Sequence, residues 1–173
     1  MEIEPCYIIG NFGVRMAAPH RAIDRKAFQT AGKFVITDAP KSVELTQIEK
    51  QGFLFFAGTM TVSKELDLTD TNYHLQLVRN GLNAVEVIIN GENAGTICFN
   101  GDVIDCSRYL KPGKNQIALR LYGTLRNMMG PHHLAEEHYR VKPSLFYKEQ
   151  NPWPAPYEWV EDYCFVEVSL SSI

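Results

Sequence analysis

An antiparallel β-sandwich is the fold class this sequence predicts, on three observations. Short apolar runs with period-2 alternation recur along the chain. Turn signals built on Asn-Gly and Pro-Gly separate them, and scarcely any stretch carries the 3.6-residue apolar stripe of a helix. Many short strands with Gly-rich turns bury one face each by stacking two sheets or closing a barrel. At 173 residues the chain suits one domain with a real core, because about two thirds of the unfolded surface is buried at that size.

In chain order, the predicted strands are "CYIIG" (6–10), "KFVIT" (33–37), "FLFFAGTMTV" (53–62), "YHLQLV" (73–78), "AVEVIIN" (84–90), "AGTICF" (94–99), "NQIALRLY" (115–122) and "YCFVEVSL" (163–170). Alternation is plainest in "HLQLV", where Leu75 and Leu77 point one way and His74 and Gln76 the other. Of the turns, "INGEN" and "FNGD" offer the positive φ of a type I′ hairpin, and Pro112-Gly113 in "KPGKN" suits type II. "SRYLKP" (107–112) reads as one helical turn, with Ser107 as its cap and Pro112 as its stop. Residues 1–50 are expected to form an N-terminal extension whose weak strands pack on the sandwich. Residues 51–173 are expected to form the sandwich itself, with a long loop at 123–159.

Composition narrows the partners. A net charge of −3, with Lys and Arg scattered, leaves no basic stripe to neutralise phosphates, so nucleic acid is not an expected partner. No apolar run approaches the roughly 18 residues that cross a bilayer, and "MEIEPCYIIG" opens with acids where a signal peptide has a basic region. A membrane is not an expected partner either. Cys6, Cys98, Cys106 and Cys164 include no C-x-x-C pair, which argues against a zinc knuckle or a thioredoxin-type site. Free cysteines favour a reducing, cytoplasmic setting, although Cys98 and Cys106 lie on segments that could pair as neighbours and form a disulfide.

The stretch "NAVEVIINGENAGTICFNGDVIDCSRYLKPGKNQIALRL" (83–121) resembles the galactose-binding-like jelly roll, or sugar-binding domain, of glycoside hydrolase family 2-type enzymes. Asn90, Gly91, Gly95, Asp105, Leu110, Pro112, Gly113 and Asn115 sit where that family has its Asn-Gly turn, its "xxG", and its "D(V/I)(T/S)xxLKPGxNxLxV" run. "GFLFFAGTMTVSKEL" looks like the family's entry strand. "TLRNMMGPHH" with the aromatic tail looks like C-terminal modules of large bacterial glycosidases. The resemblance is strong over 52–122 and weaker over 123–172. It implies a jelly-roll β-sandwich acting as a non-catalytic, carbohydrate-associated module, with the other domains of a parent glycosidase and carbohydrate as partners. It implies no organic cofactor and admits a structural calcium ion, although no run of acids here has a calcium-loop spacing.

Three groups of residues are candidates for chemistry. "RNMMGPHHLAEEH" (126–138) packs His132, His133 and His138 beside Glu136 and Glu137. A metal-dependent hydrolase using this loop is the rival function. Its spacing is wrong for a helical zincin, because His133 and His138 are five positions apart and turn by about 500° on a helix. The same loop could instead contact sugar through Arg126, His132 and His133. Trp153, Tyr157 and Trp159 of "NPWPAPYEW" suit stacking on the apolar faces of sugar rings, or packing against a neighbouring domain as a purely structural brace. The acid pairs Glu136-Glu137, Glu161-Asp162 and Asp67-Asp70 show no motif aiming two carboxylates at one glycosidic bond, so no catalytic residue is assigned.

Overall fold

Asn90 and Gly91 both take positive φ, 52° and 88°, as a two-residue type I′ turn requires. The computed structural model in which they do so describes residues 8–23, 27–30, 33–127, 163–166 and 169–172. Their turn joins β7 (Leu82–Ile89) to β8 (Glu92–Ile97) as an antiparallel hairpin. Alternation in β7 sends Val85, Val87 and Ile89 to one face, where all three are fully buried.

The remaining strands assemble around that hairpin. The longest, β10 (Gly113–Gly123), pairs with β7 on one side and with β5 (Thr59–Leu68) on the other, giving a four-stranded sheet in the order β5-β10-β7-β8. Cross-strand register lines up Met60, Leu121, Val85 and Ile97 in one row, and Val62, Leu119 and Val87 in the next. A three-stranded sheet in the order β12-β6-β9 supplies Leu77 from β6 (His74–Asn80) and Ile104 from β9 (Val103–Asp105) to the same core. Its third strand is β12 (Ser169–Ser172). The two sheets therefore form an antiparallel β-sandwich, as the alternation predicts. Each fully buried aliphatic side chain in it contributes roughly 1.5–3 kcal/mol of apolar transfer free energy.

Smaller sheets flank it: β1 (Phe12–Met16) with β4 (Phe34–Asp38), and β11-β3-β2, built from Tyr163–Val166, Ala27–Thr30 and His20–Ile23. Phe28 and Leu54 form a second, smaller core there, with Val14, Met16, Phe34 and Phe55 packed against it. A 3₁₀ turn at Ile48–Gln51 drives Ile48 into the main core and buries Glu49 beside it. Among the described residues no helix is long and apolar enough to cross a membrane.

Several expectations change. Ile8 and Ile9 of "CYIIG" lie outside any strand and face solvent; Phe12 pairs with Asp38, and Pro40 just beyond, lacking an N–H, cannot extend the ladder. In "FLFFAGTMTV" the strand begins only at Thr59. Four consecutive apolar residues have no alternation to obey, so the chain turns, with Phe56 N–H donating to Phe53 O (3.0 Å). Leu54 then enters the small core while Phe53 and Phe56 pack on the large one. "YCFVEVSL" divides into β11 and β12, which belong to different sheets.

The "FNGD" turn has positive φ at Gly101 (104°) and not at Asn100, with Asp102 N–H donating to Phe99 O (3.2 Å). This is the type II pattern and not I′. "SRYLKP" does make a helical turn, in which Tyr109 and Leu110 N–H donate to Cys106 O (2.9 and 3.2 Å). Its cap, however, is Asp105, whose Oδ1 accepts the Ser107 N–H at 2.9 Å. Cys98 and Cys106 are free thiols: Cys98 is exposed past the end of β8, whereas Cys106 sits in the core, where burial pushes its thiol pKa up.

Candidate functional site

Of the residues singled out from the sequence, His132, His133, His138, Trp153, Tyr157 and Trp159 lie outside the described residues. Of the long loop expected at 123–159, only residues 123–127 are among the described residues. There β10 passes into a 3₁₀ turn at Leu125–Asn127, which holds the backbone of Arg126. Among the described residues no three His, Cys, Asp or Glu side chains come together as metal ligands.

The residues that carry the family resemblance do meet. Asn115, 1% exposed, accepts at Oδ1 from Lys111 N–H (3.0 Å) and Asn90 Nδ2 (2.9 Å), and donates from Nδ2 to Lys111 O (2.7 Å) and Gly113 O (2.8 Å). Asn90 Oδ1 accepts the Gln116 N–H (3.0 Å), and its Nδ2 also donates to Tyr109 O (2.9 Å). Gly113, at φ 91°, allows the bend after Pro112 that brings these carbonyls inward. One buried amide thus ties hairpin tip, helical turn and β10 together. These motif residues serve the fold.

That tie has a surface consequence. Because Asn90 is bonded to the Tyr109 carbonyl, the β7–β8 tip and the 106–110 turn stand side by side. Between them lies an open depression of about 500 Å³ lined by Glu92, Asn93, Arg108 and Tyr109. The Arg108 guanidinium lies over the Tyr109 ring, 4.5 Å from its centroid, and donates to the Tyr109 hydroxyl. That hydroxyl, with the Asp105 and Glu92 carboxylates, pushes the Arg108 pKa further up. Asn93 is pinned through Nδ2 to Glu86 Oε1 (2.6 Å).

Glu86 continues the polar surface across the outer face of the four-stranded sheet. Its Oε2 accepts from Arg120 (2.8 Å) and from the Tyr122 hydroxyl (3.0 Å), and its side chain is only 16% exposed. In the sequence Glu92, Asn93, Arg108 and Tyr109 fall within turn segments and carry no motif of their own. The available signal was the pair of asparagines, Asn90 and Asn115, whose side chains have to be satisfied by whatever packs beside them.

No protein-family model matches this chain, and no curated protein matches it. Among the solved structures similar to it are two glycosidases. One is a rhamnosidase from Novosphingobium sp. PP1Y, at 17% identity and a TM-score of 0.43, covering 91% of this chain and 16% of that one. The other is a beta-D-glucuronidase from Dictyoglomus thermophilum, at 12% identity and a TM-score of 0.36, covering 67% of this chain and 20% of that one. The chain therefore spans a fifth or less of the length of either.

Proposed function

We propose that this chain is a non-catalytic module of a larger glycoside hydrolase of the family 2 type, and that it associates with carbohydrate handled by that enzyme. The observation that carries the reading is the asparagine tie. The stretch 83–121, which carries the resemblance, folds as one β7–β8–β9–β10 unit closed by Asn90 and Asn115. The tie supports a sandwich that presents loops and turns to a ligand. Affinity electrophoresis of the purified chain through gels containing different polysaccharides tests this. Retardation by at least one is expected, together with no turnover of 4-nitrophenyl glycosides. Turnover, or stoichiometric zinc lost on His133→Ala, would overturn the non-catalytic reading in favour of a metal-dependent hydrolase.

A second reading, a brace that packs against other domains, is favoured by a different observation. Ile9 is 95% exposed and Ile36 55%, with Ile8 and Val35 also exposed. Apolar side chains so placed suit contact with another body. Absence of retardation in every gel would favour the brace over carbohydrate association.

A further inference from the structure

We infer that the depression between the β7–β8 hairpin tip and the 106–110 turn is a binding site for one neutral pyranose ring, held by Glu92, Asn93 and Arg108 over Tyr109. The inference deepens the carbohydrate reading above and rests on it.

Four features carry it. The volume of about 500 Å³ lies within the range of roughly 300–1,000 Å³ usual for ligand clefts. The site is preformed. Its floor is fixed by the Asn90 Nδ2 bond to Tyr109 O and by the Tyr109 N–H bond to Cys106 O (2.9 Å each), and its rim by a tight type I′ turn.

The donors and acceptors suit hydroxyl pairs. Arg108 presents a planar fork of N–H groups backed by an aromatic ring, and Glu92 lines the same depression. Asn93, anchored through its Nδ2, keeps its carbonyl oxygen for another partner. A guanidinium fork and a carboxylate together can bind adjacent hydroxyls of one ring, the first as donor and the second as acceptor.

Charge decides the ligand class. Among the described lining residues Arg108 is the cation and Glu92 the carboxylate, so the depression carries no net positive charge to attract an anion. A phosphate or a sugar acid is disfavoured, and a neutral sugar is not.

The test is a ¹⁵N–¹H correlation titration of the whole chain with methyl β-D-glucopyranoside, methyl β-D-galactopyranoside and methyl α-L-rhamnopyranoside, with methyl β-D-glucuronide as the anionic comparator. With at least one neutral glycoside, the Asn93 side-chain amide and the backbone amides of Gly91 and Tyr109 should shift saturably. The glucuronide should bind more weakly. Arg108→Ala and Glu92→Gln, at two exposed positions, should each weaken binding about tenfold while leaving the rest of the spectrum unchanged. Shifts confined to other residues, or undiminished binding in both variants, would overturn this site. Retardation of wild type and variants alike in polysaccharide gels would then leave the module reading standing. No shift with any neutral glycoside overturns the site, and so does tighter binding of the glucuronide.

Discussion

Replacing Asn115 by Ala deletes the hub of the tie. The four hydrogen bonds it makes are lost at once: two accepted at Oδ1 and two donated from Nδ2. A typical intramolecular hydrogen bond contributes about 0.5–1.5 kcal/mol net, and more is lost where the abandoned partner stays dry. Here Lys111 and Asn90 are exposed and can be rehydrated, whereas Gly113 is half-buried. The cost should therefore fall at about 2–4 kcal/mol, which in a chain of this size lowers Tm by roughly 5–15 °C. Urea unfolding followed by fluorescence reads it as a lower midpoint at an unchanged slope. Gln116→Ala is the control, because Gln116 joins the tie only through its backbone, whose N–H donates to Asn90 Oδ1 and whose carbonyl accepts the Asn90 N–H; it should stay within about 0.5 kcal/mol of wild type. A loss below about 1 kcal/mol for Asn115→Ala would refute the tie as a stabilising element.

Asn115→Asp sharpens the test. It keeps the Oδ1 acceptor but puts a second oxygen against the Lys111 and Gly113 carbonyls, where the amide had donated. Burial and those two carbonyls disfavour the ionised form, so the folded-state pKa of the new carboxyl rises above its unfolded value. The folded protein then binds more protons than the unfolded chain between the two values, and stability falls as pH rises through that window. The variant should lie closer to wild type at pH 4 than at pH 7. An equal deficit at both would show that the amide nitrogen does not face those carbonyls.

Three further outcomes follow from the same structure. Leu121→Ala, at a fully buried position on the central strand β10, should cost about 2–5 kcal/mol by urea titration. The Asp102 carboxylate accepts the Phe99 and Cys98 N–H groups (2.8 Å each), which lower its pKa. The stability it contributes is present above the ordinary carboxylate range and lost as pH falls through the lowered value. Asp102→Asn should therefore lower the urea midpoint at pH 7 and flatten its decline toward pH 3. For Glu86 and Arg120, 2.8 Å apart with side chains 16% and 41% exposed, a double-mutant cycle should give a coupling of about 1 kcal/mol or less.

The sandwich was legible where one face is buried and the other wet. In β6, β7 and β10 the apolar period of two survives into the structure, since each strand has neighbours on both edges and one core to face. Asn90-Gly91 was legible for a similar reason: a two-residue connection between antiparallel strands leaves few backbone solutions. Legibility failed where tertiary demands compete with local pattern. Phe53–Phe56 is apolar at every position and serves two cores, so no single period describes it. Nothing local in "IEKQ" announces that Ile48 and Glu49 are buried, because that burial depends on the sandwich above them.

The site was less legible than the fold, and the reason is physical. Histidines and tryptophans stand out in a sequence by their own chemistry, whereas Arg108 and Glu92 are ordinary surface residues 16 positions apart. What makes them candidates is position, and position comes from Asn90, whose amide reaches across 19 residues to the Tyr109 carbonyl. The motif that resembles a sugar-binding domain thus acts on the depression indirectly: it fixes where the hairpin and the turn stand, and the side chains projecting from them are free to vary. On that argument the asparagine tie and the ligand contacts should separate experimentally. Glu92→Gln should leave the urea midpoint within about 0.5 kcal/mol of wild type, as surface changes do. Asn115→Ala, touching no ligand, should lower stability first and weaken glycoside binding only through the displaced 106–110 turn.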